Sequence, residues 1–260
     1  MARCLQSDVA GSIRNLARLS IIPGGWNGLG QLVHCVRTGE TAFVKTFGLT
    51  NPFDYFKSHP EERAIFNAAM TDLALMSAPA LAQAYDFGRF RRLVDVGGGQ
   101  GSMLATILQR YPEVTAVLFD LPTVVERARP LLASSGVADR CEVVSGDFFQ
   151  SVPHGGDGYI MRHIIHDWDD ERSIHILRNT RHAIDPLGRL LLVDSVIASG
   201  NSPSPAKLVD LEMMALTGGC ERTEAEFREL LAATGFRLLS VHPGTGGDGD
   251  QIMEAAPVLA

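Results

Sequence analysis

Three carboxylates and a glycine cluster are the residues of this chain whose types and spacing could do chemistry. Leu93-Val94-Asp95-Val96 is a short apolar run carrying an acid, and it opens into Gly97-Gly98-Gly99-Gln100-Gly101-Ser102. A strand hands over to a helix in this way in α/β sheets, and the glycines let a ligand reach main-chain N–H groups with no Cβ in between. Asp120 closes a second apolar run, Val114–Phe119. Asp147 follows a third, Cys141–Ser145, with Phe148 beside it. Asp120 so placed can accept from the hydroxyls of a ribose. Asp147 can accept from an exocyclic amine, and Phe148 offers a ring face to a purine. Three acids at successive strand ends suit an uncharged nucleoside beside a cationic centre, and they repel a pyrophosphate. The spacing Gly97-x-Gly99-x-Gly101 is also one residue tighter than the dinucleotide fingerprint. These features favour S-adenosylmethionine over a nicotinamide dinucleotide. Plainer roles stay open for each residue: an ordinary turn for the glycines, a helix cap for Asp120, a turn brace for Asp147.

His166 is the candidate proton acceptor. It stands at the carboxyl end of a fourth apolar run, Tyr159–Ile165, near the point where strand order reverses in such sheets. From position alone, a surface histidine ahead of a helix is an equal reading. His163, His166 and His175 do not read as a metal site. The first two are three apart on the expected strand and would point to opposite faces, so no metal is expected.

The elements that must position these residues alternate strand and helix from Arg91 onward, the signature of a parallel sheet with crossover helices. Strands are expected at Leu93–Val96, Val114–Phe119, Cys141–Ser145, Tyr159–Ile165 and Leu190–Val196. Two late strands, Leu238–His242 and Gln251–Ala255, flank a glycine-rich tip at Gly244–Gly249 and read as a hairpin. Asp169, Asp170 and Glu171 load negative charge onto the N-terminus of the helix after His166. Thr223 and Glu226 form a capping box for a late helix that Gly235 ends. Residues 1–88 read as helices joined by turns. Asn27 to Arg37 is expected as one helix closed by Gly39. Pro60 opens another, with Phe66, Met70 and Leu73 on one face, which Ser77-Ala78-Pro79 ends before a second short helix reaches Tyr85.

The chain has 260 residues, 45% hydrophobic and 20% charged, with a formal net charge of −7. That is globular composition, and the negative balance argues against a nucleic-acid partner. Runs such as Leu190–Val193 are too short to span a bilayer, so no membrane partner is expected. Cys4, Cys35, Cys141 and Cys220 are widely separated and read as thiols of a reducing cytoplasm.

Five motifs stand in order: Leu93–Gly101, Phe119-Asp120-Leu121-Pro122, Ser145-Gly146-Asp147-Phe148-Phe149, Arg162-His163-Ile164-Ile165-His166-Asp167-Trp168 and Gly218-Gly219-Cys220-Glu221-Arg222-Thr223. Together they resemble the small-molecule O-methyltransferases of the caffeate/hydroxyindole type, including bacterial members acting on aromatic polyketides. The resemblance implies a Rossmann-like class I methyltransferase sheet over residues 89–260, with helices on both faces and a C-terminal hairpin. It implies S-adenosylmethionine as cofactor, S-adenosylhomocysteine as product, and methyl transfer to an aromatic or polyketide hydroxyl with His166 as general base. By the same match Asp194 and Glu221 are the acids that hold the histidine; Asp194 stands where plant members have glutamate. The glycine-turn reading places Asp95, Gly99 and Gly101 at the cofactor, and the resemblance carries Gly97, Asp120, Leu121, Asp147, Phe148 and Arg162 onto cofactor contacts, Arg162 replacing a lysine. It carries Phe66, Met70, Met213 and Met214 onto the acceptor pocket. Residues 1–88 are then expected as the remnant of an N-terminal, winged-helix-like dimerisation and lid region, and homodimers as the family's assembly. Some relatives on this scaffold keep the cofactor but hydroxylate or decarboxylate, and a fragment that only binds the cofactor is a further alternative.

Overall fold

The computed structural model describes residues 2–259 apart from Asp8, Ala10 and residues 245–248. The described residues build one seven-stranded sheet in the order β3-β2-β1-β4-β5-β7-β6. Its strands are β1 (Arg92–Val96), β2 (Thr115–Asp120), β3 (Cys141–Ser145), β4 (Gly158–Arg162), β5 (Arg189–Ser195), β6 (Phe236–Pro243) and β7 (Asp250–Pro257). The first five run parallel. β7 returns antiparallel to β5, and β6 antiparallel to β7, so the expected hairpin forms. Of its expected tip, residues 245–248 lie outside the described residues.

Alternation along each strand sorts side chains onto two cores, as a period of two requires. Leu93, Leu118, Ile160 and Val193 face one layer of helices, and Val94, Val96, Met161 and Leu192 face the other. Strand order steps outward from β1 on one side and from β4 on the other. The carboxyl ends of β1 and β4 therefore flank the switch point where such sheets hold ligands.

Several expected boundaries move, each for a physical reason. The helix opening at Pro60 does not stop at Pro79 but runs unbroken over Pro60–Ala84. An internal proline costs about 3 kcal/mol. Ala78, Leu81 and Ala82 are buried in the sheet-side core, and the Tyr111 hydroxyl donates to the carbonyls of Ala82 and Tyr85, which carries the helix past the proline. By length and apolar composition this helix is long enough to cross a membrane. It packs along Arg14–Leu19 and Ser102–Arg110 and carries Asp72 at mid-length. The single helix expected over Asn27 to Arg37 is two, Pro23–Leu29 and Leu32–Thr38, separated near Gly30, with Gly39 closing the second in the left-handed region. The expected fourth strand is shorter. β4 ends at Arg162, His163 turns to φ +53°, and Ile165–Asp167 forms a 3₁₀ turn.

Candidate active site

The glycine turn is stitched to the end of β2. Gly97 and Gly98 both donate their N–H to the carbonyl of Phe119, at 2.8 and 3.3 Å. Gly97 and Gly99 have φ of +73° and +62°, in the region that disfavours side chains. They differ in surroundings. A Cβ on Gly97 would fall 2.3 Å from Ile164 Cδ1, whereas one on Gly99 would meet nothing within 4 Å. The turn therefore packs on the loop that carries His166 and opens on its far side. Gly101 is left-handed at φ +82° and precedes the Ser102–Arg110 helix.

Asp120 holds this turn in shape. Its Oδ2 accepts from the Gly99 N–H at 2.8 Å and its Oδ1 from the Leu121 N–H at 2.6 Å. Burial pushes its carboxyl above the ordinary range while those two N–H groups oppose the shift. Asp95 is 1% exposed, and among the described residues neither of its oxygens has a hydrogen-bond partner. Burial, and then the charge of Asp120, push it up to about 7 against the pull of Arg162. A buried carboxyl with open oxygens beside a glycine cradle fits a ligand that brings N–H donors and positive charge, as S-adenosylmethionine does. Asp147 spends Oδ1 on the Phe149 N–H at 2.8 Å, so it braces a turn as well. The Phe148 ring lies edge-on to Trp168 and 3.8 Å from a Cβ placed on Gly97. Leu121 is exposed. Arg162 is spent inside the protein, its Nε 3.1 Å and its Nη2 3.0 Å from Asp250 Oδ2.

His166 is nearly sealed from solvent at 8% exposure. Its Nδ1 lies 2.8 Å from Glu221 Oε1, and its Nε2 lies 3.9 Å from Asp167 Oδ1. A carboxylate only accepts, so Nδ1 carries the proton and Nε2 is left as the acceptor in the neutral ring. Burial by itself lowers the imidazolium pKa. The hydrogen bond that His166 donates to Glu221 and the charges of Asp167, Asp194 and Glu221 outweigh it and raise it to about 10. Asp194 is fully buried on β5, and neither oxygen has a partner among the described residues. Burial pushes it up to about 8, the charge of His166 opposing. Glu221 is held from behind, its N–H donating to Asp210 Oδ1 at 2.9 Å.

The expectation that His163 and His166 point to opposite faces is wrong. Because β4 stops at Arg162, the two rings stack with centroids 5.1 Å apart at 24°. His163 Nε2 is bonded to Asp250 Oδ1 at 2.6 Å and His166 Nδ1 to Glu221.

Of the four residues expected at an acceptor pocket, Phe66 and Met70 lie on the Pro60–Ala84 helix and Met213 and Met214 on the Pro205–Leu216 helix. Phe66 meets Phe53 edge-on at 6.2 Å, and Phe53 stacks on Trp168 at 5.6 Å and 27°, which links Phe66 to the residue two beyond His166. Met70 is half-buried on the same long helix. Met213 sits on the Pro205–Leu216 helix with its sulfur 3.9 Å from Thr217 Oγ1. Met214 packs beside Cys35, Ala42 and Ala215. Sequence reasoning missed Phe53, Trp168 and Asp250 as parts of the site. Asp250 and His163 are 87 positions apart, and no local pattern announces such a pair.

The profile of the O-methyltransferase domain family matches residues 26–237. The chain is 46% identical over 228 residues to the phenazine O-methyltransferase of Lysobacter antibioticus, covering 88% of this chain and 66% of that protein. It is 40% identical over 239 residues to the mitomycin biosynthesis 6-O-methyltransferase of Streptomyces lavendulae, covering 92% and 68%. The chain thus spans about two thirds of the length of these curated relatives. Among solved structures it superposes with a TM-score of 0.86 and 30% identity on an O-methyltransferase from neocarzinostatin biosynthesis in complex with S-adenosylmethionine and 2-hydroxy-5-methyl naphthoic acid, covering 97% of this chain and 75% of that one. The chain belongs to the O-methyltransferase domain family, and its Rossmann-like sheet is that family's S-adenosylmethionine-dependent methyltransferase domain.

Proposed function

We propose that this chain transfers a methyl group from S-adenosylmethionine to a hydroxyl of a polycyclic aromatic secondary metabolite, with His166 Nε2 taking the hydroxyl proton. The observation that carries the proposal is the 2.8 Å contact of His166 Nδ1 with Glu221 Oε1, on a loop packed against the glycine turn through Ile164 and Gly97. When bound, S-adenosylmethionine supplies a methyl carbon on a cationic sulfur, and the carbon–sulfur bond breaks as the acceptor oxygen attacks. Asp95, Gly97, Gly99, Gly101, Asp120, Leu121, Asp147 and Phe148 are the residues to hold it. Arg162 balances the acids from behind, paired with Asp250.

The acids around His166 set the energetics. A phenol near pKa 10 and an ordinary imidazole near 6.5 differ by about 3.5 units, or about 5 kcal/mol for complete proton transfer. Raising the imidazolium to about 10 closes that gap. The same shift leaves His166 protonated at neutral pH in the empty site. Beside a cationic methyl donor, His166 would shift toward the neutral ring that the reaction needs. Glu221 fixes the tautomer, and Asp167 and Asp194 add charge when ionised. General-base help of this kind is worth about 10²–10⁴-fold.

Phe53, Phe66 and Trp168 supply a wall of rings suited to a flat acceptor. Relatives named for phenazine and mitomycin substrates and a naphthoate complex support that class. The described cysteines are all free, in keeping with a cytoplasmic enzyme. The exposed Ile21, Trp26, Val33 and Val36 are apolar surface that a second copy in a homodimer would cover. The test is incubation with methyl-labelled S-adenosylmethionine and a panel of hydroxylated phenazines and naphthoates. Labelled methyl ether with stoichiometric S-adenosylhomocysteine is expected. Turnover of the panel with no cofactor consumed, or no turnover despite tight S-adenosylhomocysteine binding, would overturn the proposal.

A further inference from the structure

We infer that Asp250 and His163 are positioning residues that lock the ring plane of His166. The inference deepens the reaction proposed above and rests on it.

His163 is the one non-glycine residue at positive φ among the described residues, at +53°. The left-handed region costs an ordinary residue free energy, and histidine adopts it only when its surroundings impose it. Two bonds impose it here. The His163 N–H donates to the carbonyl of Val193 on β5, at 3.1 Å. Its Nε2 is bonded at 2.6 Å to Oδ1 of Asp250. Asp250 is the first residue of β7 and pairs with Ser195, the last of β5. Its side chain therefore reaches over the carboxyl end of β5 to the end of β4. There it binds His163 through Oδ1 and Arg162 through Oδ2, with only 6% of the side chain exposed.

The left-handed residue ends β4 and swings the His163 ring onto His166. With centroids 5.1 Å apart at 24°, the two rings stack, and His163 blocks one face of His166 while Glu221 fixes its Nδ1 edge. A ring held by one hydrogen bond can still tilt about that bond. A stacked face removes this freedom, which is the kind of orientation on which catalysis depends. Because Asp250 only accepts, His163 donates from Nε2 and can remain neutral while doing so. Burial, and then Arg162, hold its pKa below the ordinary value against the pull of Asp250. A neutral ring of this kind does not repel the imidazolium that forms on His166.

The test uses His163→Asn and Asp250→Asn in the full chain. Asparagine tolerates positive φ, so His163→Asn keeps a residue suited to the backbone turn while deleting the stacked ring and its bond to Asp250. The first readout needs neither cofactor nor acceptor: the downfield NMR resonance of the His166 Nδ1 proton bonded to Glu221. It is expected to be sharp in the wild type and broadened by solvent exchange in both variants. The second is kinetic, with a hydroxylated phenazine or naphthoate that the wild type methylates. His163→Asn is expected to lower kcat about tenfold with S-adenosylhomocysteine affinity unchanged. Asp250→Asn is expected to lower kcat similarly and also to weaken S-adenosylhomocysteine binding through Arg162. The double variant should have the kcat of the single ones, since both act through one ring. A sharp resonance and wild-type kcat in His163→Asn overturn the inference. Loss of activity in His166→Ala alongside full activity in His163→Asn separates its failure from failure of the proposed reaction. If Asp250→Asn does not fold, His163→Asn decides alone.

Discussion

His166 Nδ1 lies 2.8 Å from Oε1 of Glu221, a residue 55 positions further along the chain, and the Glu221 side chain is 1% exposed. The sheet delivers the histidine from the end of β4, and the turn after the Pro205–Leu216 helix delivers the acid. A carboxylate buried so completely has this imidazole as its partner through one oxygen. Its other oxygen, Oε2, is open among the described residues.

Glu221→Gln keeps the shape of the contact but removes the charge that favours the imidazolium and the required tautomer. A loss of about 10²–10⁴-fold in kcat is expected, with S-adenosylhomocysteine binding unchanged by calorimetry. Activity within threefold of wild type would show that Glu221 is only structural.

Asp194 acts through its charge, which is one of the forces raising the His166 pKa. In the free enzyme kcat/KM should rise with pH as the imidazolium loses its proton, on a limb above neutrality. Asp194→Asn removes one negative charge and should move that limb to lower pH. A limb that stays in place would remove Asp194 from the electrostatics of the base.

Thermal stability should fall as pH rises from 6 to 9. The folded pKa values of Asp167, Asp95 and Asp194 are raised to about 6, 7 and 8, in each case chiefly by burial. That of His166 is raised to about 10, carboxylates outweighing burial. A group raised on folding stabilises the native state while protonated, and that stability is lost as pH climbs through the folded pKa. All four shifts have this sign. Scanning calorimetry across the range checks it, and Asp95→Asn should flatten the decline near pH 7. Stability constant from pH 6 to 9 would contradict these directions.

Gly97 and Gly99 should separate by assay. Gly97→Ala forces a Cβ against Ile164 at positive φ and should cost about 2–3 kcal/mol of stability together with cofactor binding. Gly99→Ala meets open space, so the unliganded protein should lose about 1–2 kcal/mol from backbone strain alone. Equal melting temperatures for the two variants would contradict the packing of Gly97 on the histidine loop.

The sheet was legible in the sequence because each strand is a short apolar run punctuated by glycine, proline or an acid. Cys141–Ser145 is observed as expected, and Thr223 and Glu226 form their capping box. Helix ends were less legible. Pro79 reads locally as a stop, and only the tertiary burial of Ala78, Leu81 and Ala82 overrides it. The end of β4 was hidden for the same reason. The positive φ of His163 is imposed by Asp250 from a strand 87 positions away, so periodicity extended the strand and assigned the two histidines to opposite faces. The glycine turn was readable because its residues are neighbours in sequence. The aromatic wall was not, because Phe53 and Trp168 meet only through the fold.

The most direct measurement is methyl transfer by His166→Ala, with S-adenosylhomocysteine affinity determined on the same preparation. Retained affinity is expected, since the glycine turn and Asp120 are untouched, with kcat reduced by about 10²–10⁴-fold. Retained affinity with kcat near that of the wild type would contradict His166 as the group that takes the acceptor's proton.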